Sequence, residues 1–135
     1  YGSIHRNTYL DSPTLLCRDL AFRQRPDLFC AGQLCGNEGY TESIATGHLA
    51  ALAVLRRLAG KPWVPPPPET ALGALLRHVT SSEEHPFTPS NIHFGLFPPL
   101  DTIPGKRSLG KKEKQERMCE RAMGEIRKWV ASLPL

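Results

Sequence analysis

The chain has 135 residues, of which 40% are apolar and 22% charged, a balance that fits one ordinary globular domain and excludes a disordered polyelectrolyte. Its apolar stretches are interrupted by His48, Arg56 and Arg57, so none reaches the roughly 18 to 20 residues of a membrane helix. Residues Tyr1 to Asn7 offer no secretory start, which leads to the expectation of a cytoplasmic location. The net charge of +4 sits entirely within residues 106–121, where seven basic side chains face three acidic ones.

In chain order, Ser12-Pro13-Thr14 reads as an N-cap serine with proline in the first helical position, opening a short turn through Leu15 and Leu16. Leu20 and Phe22 alternate with Asp19, Ala21 and Arg23, the period of a half-buried strand. After Arg25-Pro26-Asp27, the apolar run Leu28 to Ala31 ends on Gly32, as a buried strand does. A glycine-punctuated loop, Gln33 to Tyr40, then leads into a helix predicted over about Thr41 to Leu58. Its apolar positions are Ile44, Leu49 or Ala51, Val54, Leu55 and Leu58, and Gly60 supplies the stop. Gly47 interrupts that helix at a cost of about 1 kcal/mol, which points to close approach of another backbone or a cofactor.

Pro62 and the run Pro65 to Pro68 form an extended connector, and Thr70 caps a helix through Ala71, Leu72, Leu75, Leu76 and Val79. From His85 to Pro99 no period persists. The last helix places Cys119, Ala122, Met123, Ile126, Trp129, Val130 and Leu133 on its predicted apolar side. These elements divide the chain into residues 1–60, a strand-loop-helix part, residues 61–69, the connector, and residues 70–135, a helical part. The four cysteines, Cys17, Cys30, Cys35 and Cys119, lack the paired spacing of a metal site, and no metal is expected. Cys30 and Cys119 fall in apolar settings, where free cysteine behaves as a small hydrophobe.

A strand ending in glycine, then a glycine-rich loop, then a helix collects backbone N–H groups at the positive end of a helix dipole. Such a place suits a phosphate, a carboxylate or the pyrimidine edge of a flavin, but many α/β domains contain the same connection without a ligand. The basic segment carrying Lys106, Lys111, Lys112 and Lys114 is able to attract a phosphate backbone; a solvated helix flank has the same composition.

The residues themselves go further. Leu28-Phe29-Cys30-Ala31-Gly32-Gln33, followed by Gly36-x-Glu38-Gly39-Tyr40-x-Glu42-Ser43-x-Ala45-x-Gly47, resembles the flavin motif near the C-terminus of the folate-dependent tRNA uracil methyltransferases, the TrmFO family. His5-Arg6-Asn7-Thr8, Thr70 to Leu76 and Asn91-x-x-Phe94-Gly95-Leu96-Phe97-Pro98-Pro99 agree with the same family, in the same order. Glucose-inhibited-division-type tRNA flavoproteins share the Ala-Gly-Gln and Gly-Tyr elements but less of the other three stretches.

The resemblance implies the C-terminal part of a Rossmann-like α/β FAD-binding domain, with short strands, three helices and an incomplete sheet. It implies an enzyme that moves a one-carbon unit from methylenetetrahydrofolate to C5 of a T-loop uridine in tRNA, with NAD(P)H as reductant. Gly32, Gln33, Gly36, Glu38, Gly39, Tyr40 and Gly47 would line the flavin, His5, Arg6 and Asn7 would meet folate or flavin, and Lys106, Lys111, Lys112 and Lys114 would meet tRNA. The family's G-x-G-x-x-G segment for the FAD pyrophosphate is absent here, and its reactive cysteines lie upstream, so no catalytic residue is assigned. The expected partners are tRNA and the N-terminal portion of the enzyme. The alternatives are a wobble-uridine flavoprotein and a non-catalytic tRNA-binding module.

Overall fold

The computed structural model describes residues 8–81, 86–101 and 110–133. Among these described residues are four α-helices, α1 (Ser12–Leu15), α2 (Tyr40–Leu58), α3 (Ala71–Ser81) and α4 (Lys111–Ser132), with 3-10 turns at Gly32–Cys35 and Phe94–Leu96. No sheet forms among the described residues. The chain separates into two compact units, one running up to Trp63 and including Leu76–Asn91, the other formed by Val64–Leu75 and Ile92–Leu135.

In the first unit, the two expected strands are reduced to isolated antiparallel pairings, Leu16 with Phe22 and Ala21 with Phe29. The reason is local. Leu20 adopts a positive φ of 68°, and Leu20 N–H bonds back to Cys17 O, so the chain turns before a ladder can extend. Leu20 and Ala21 are therefore both buried rather than alternating. The α1 turn starts one residue earlier than expected, with Asp11 at the N-cap and Ser12 and Pro13 in the first turn.

The helix α2 matches its expected length but not its expected face. Glu42, Thr46, Leu49, Ala50, Ala53 and Arg56 are buried, whereas Ile44 is 72%, Leu55 62% and Leu58 80% exposed. The inner face is chosen by polar contacts that an apolar count does not register. Arg57 fastens the end of the helix to the preceding segment, through Asp19 Oδ2 at 2.9 Å, the Pro26 carbonyl and the Phe29 ring.

In the second unit, the proline run lies against the first turn of α3. Thr70 caps the helix, its hydroxyl accepting from Gly73 N–H at 3.0 Å, and a Cβ on Gly73 would collide with the Pro67 carbonyl. Glycine is required there by backbone-to-backbone contact. The helix α4 is anchored by Trp129, whose indole donates to Val64 O at 3.1 Å, and by Met118, also buried. Its expected stripe holds in part: Trp129 is buried and Ala122, Ile126 and Leu133 are half-buried, whereas Cys119, Met123 and Val130 are exposed and Met118 turns inward instead.

Candidate functional site

The loop between Ala31 and Tyr40 is shaped by two left-handed glycines. Gly32, at φ +75°, opens the 3-10 turn and Gly36, at φ +96°, closes it. A Cβ on Gly36 would also stand 2.5 Å from the Phe87 ring, which is buried beside His78 and Tyr9. The Gly36 carbonyl accepts from Ser90 N–H, and Glu38 N–H donates to Ser90 O, so the strand-like segment at Ser90 backs the loop.

A buried polar cluster joins this loop to α2. The Thr46 hydroxyl accepts from Gly32 N–H at 3.0 Å and from Asn37 Nδ2 at 3.2 Å, and it donates to Glu42 O at 3.0 Å. Asn37 Nδ2 also reaches Gly32 O and Cys35 Sγ, at 3.2 and 3.0 Å. Neither Asn37 nor Thr46 has any exposed surface. Such groups are costly to bury unless bonded, and here the bonds fix the loop onto the helix. Asn37 Oδ1 is buried with no partner among the described groups. Apolar spacing does not single out Asn37 and Thr46; the signal that does is a polar residue inside the glycine loop and another on the first inward face of α2, four residues after Glu42.

Cys30 and Cys35 are both free and buried. The neighbouring Cys35 thiol, which donates to Gly32 O at 3.1 Å, holds Cys30 down to about 7 against the cost of its own burial, and Cys35 is pushed up by the same neighbour. This pairing is not evident from their separate apolar settings.

Gly39 caps α2 without a side-chain bond, and the Glu42 carboxylate folds back against it, where the third helical residue of a capping box lies. At the start of any helix the first N–H groups lack intrahelical acceptors, which here include those of Tyr40 and Thr41. Tyr40 is 93% exposed beside them, and Gln33 and Glu38 are also exposed. Thus Gly32, Gln33, Gly36, Glu38, Gly39 and Tyr40 are brought into one loop around one helix end. Gly47 differs: no described atom lies within 4 Å of its Cβ position, so the expected close approach is not made among the described residues. His5, Arg6, Asn7 and Lys106 lie outside the described residues.

The remaining basic candidates, Lys111, Lys112 and Lys114, stand exposed in the first turns of α4, in the second unit. Among the described residues no helix is long and apolar enough to cross a membrane.

Comparison with known proteins adds two findings. The family model of glucose inhibited division protein A matches residues 1–62. Proteins named methylenetetrahydrofolate–tRNA-(uracil-5-)-methyltransferase TrmFO match almost the whole chain. The one from Anaeromyxobacter sp. (strain Fw109-5) is 53% identical over 133 residues, covering 96% of this chain and 28% of the relative. Those from Myxococcus xanthus (strain DK1622) and Novosphingobium aromaticivorans are 48% and 47% identical, covering 96% and 98% of this chain and 28% of each relative. The chain therefore spans just over a quarter of the length of the relatives it matches.

Proposed function

Since the chain belongs, as a segment of about 28% of their length, to the family of methylenetetrahydrofolate–tRNA-(uracil-5-)-methyltransferases TrmFO, we propose that it forms the flavin-side part of such an enzyme. The observation that carries the reading is the reach of the match. The glucose-inhibited-division model stops at residue 62, whereas the methyltransferases continue through the Thr70 to Leu76 and Asn91 to Pro99 stretches.

The loop fits a flavin edge. Its donors are backbone N–H groups at the positive end of α2, and Gly39 leaves that helix end without a side chain of its own. Gly32, Gln33, Gly36, Glu38, Gly39 and Tyr40 would hold FAD on that side, and Gly47 belongs to the face of α2 that awaits packing. When bound, FAD supplies redox chemistry for a one-carbon unit delivered by methylenetetrahydrofolate, with NAD(P)H as reductant, and the product is a uridine methylated at C5 in the tRNA T-loop. The chain's own contribution is positional. The Thr46–Asn37 cluster sets the loop, Glu42 supports its helix end, and Lys111, Lys112 and Lys114, with Lys106, meet the tRNA backbone. His5, Arg6 and Asn7 are assigned to folate or flavin on the resemblance alone. The upstream portion found in the relatives supplies the dinucleotide half of the site, so the isolated chain is inactive, and the whole is a Rossmann-like α/β domain acting in the cytoplasm.

The test is a chimera in which this chain replaces the matching segment of the Anaeromyxobacter relative. The chimera is expected to carry flavin absorbance and to form 5-methyluridine in tRNA. A folded chimera that lacks both contradicts the reading, and modification at the wobble uridine instead would assign the chain to the glucose-inhibited-division type.

A further inference from the structure

A groove of about 440 Å³ lies in the second unit, between the Phe94–Leu96 turn and the start of α4, well apart in sequence from the flavin loop. Its wall is aromatic. Phe94 and Phe97 stand with ring centres 5.8 Å apart and planes inclined by 34°, and Phe94 is partly exposed. The turn that presents them is held from behind, because His93 Nδ1 accepts from Gly95 N–H at 3.1 Å. Arg121 grips the Pro98 and Pro99 carbonyls and so fixes the next stretch of the same wall. Met118 forms the floor, and Lys111, Lys114 and Gln115 form the opposite rim.

The charges on α4 are distributed unevenly around the helix. Lys112 pairs with Glu116, Arg117 with Glu113 and Lys128 with Glu125. The two lysines that line the groove, Lys111 and Lys114, have no acidic partner among the described residues. Lys111 and Lys114 therefore keep their charge available at the groove. Two flat rings opposite two unspent cations match a flat heteroaromatic ring attached to an anion.

The geometry points to a binding groove for one unstacked nucleotide of an RNA strand, with its base against Phe94 and Phe97 and its phosphate between Lys111 and Lys114. Base stacking on aromatic side chains tolerates any base, and lysines follow the backbone. An RNA strand is favoured over an isolated ring with an acidic tail because residues 106–121 carry the whole net charge of +4, as a strand of several phosphates requires. This inference rests on the reading of the chain as part of a tRNA enzyme and adds to it the place and manner of strand capture.

The test measures fluorescence anisotropy of a labelled short oligouridylate, and separately of whole tRNA, with the full 135-residue chain. Phe94→Leu with Phe97→Leu keeps apolar volume and is expected to weaken oligouridylate binding about tenfold. Lys111→Ala with Lys114→Ala is expected to weaken it and to reduce the slope of log affinity against log salt by about 1.4. Arg127→Ala with Lys128→Ala, both exposed at the far end of the same helix, serves as the control and should change affinity less than twofold. Circular dichroism confirms folding of each variant. Equal losses in the control pair, or no loss in the phenylalanine pair, would overturn the groove. Competition by free folate against an oligouridylate that binds elsewhere would overturn it as well. If whole tRNA binds the phenylalanine and lysine variants as it binds the parent chain, the groove falls while the tRNA reading stands; if neither RNA binds the parent chain, the groove falls and the chimera decides the tRNA reading.

Discussion

Both α2 and α4 begin behind a glycine without a side-chain cap, Gly39 and Gly110, yet their surroundings differ. At α2 the polar groups are turned on one another: Thr46, Asn37, Gly32 and Glu42 share one buried set of bonds. At α4 the cations Lys111 and Lys114 face a groove and spend nothing on the protein itself. The first region is a shape maintained by its own interior, the second a surface with unspent charge. Substitutions in the two should therefore separate stability from binding.

The largest effect is expected at Gly36. An alanine there must adopt φ +96° and place its Cβ against the Phe87 ring, which together cost about 3 kcal/mol, measurable by urea unfolding. An unchanged midpoint would mean that the loop rearranges freely. Next comes Thr46→Val, which strips the acceptor from Gly32 N–H and Asn37 Nδ2 and should cost about 2 kcal/mol by the same measurement. Asn37→Ala in the Thr46→Val background should then cost much less than it does alone, because the two share bonds.

At the groove, Lys111→Ala with Lys114→Ala should alter stability by less than about 0.5 kcal/mol, since exposed and unpaired side chains contribute little. The smallest effect is chemical. Cys30 is held down to about 7 by the neighbouring Cys35 thiol but is only 7% exposed, so its alkylation by iodoacetamide should rise as pH passes through neutrality while staying much slower than that of the exposed Cys119. Mass spectrometry should place the label on Cys30 and not on Cys35, whose thiol the same contact holds protonated. In Cys35→Ala the rise should move up toward the ordinary thiol range.

Much of this was legible in the sequence for a physical reason: glycines and prolines impose backbone shapes that do not depend on distant packing. The loop from Gly32 to Gly39, the stop at Gly60 and the Thr70 cap stand where the residues place them. Burial was less legible. Apolar spacing put Ile44, Leu55 and Leu58 on the inner face of α2, but Thr46 and Glu42 occupy that face because their bonds to the loop outweigh an apolar count. The exposed apolar face fits a chain that spans 28% of its relatives. The strands failed for a different reason, since the left-handed Leu20 ends pairing before it begins. The groove escaped notice because Phe94 and Phe97 sit in a segment without a period and meet the lysines only through the fold.

The most direct test of the division between the two regions is to measure thermal melting and tRNA affinity side by side for Thr46→Val and for Lys111→Ala with Lys114→Ala. The expected result is a crossed pattern, with Thr46→Val melting several degrees lower at unchanged affinity below its transition, and the lysine pair losing affinity at an unchanged melting temperature. If both variants shift melting and affinity together, the loop and the groove are not separate devices, and the account fails.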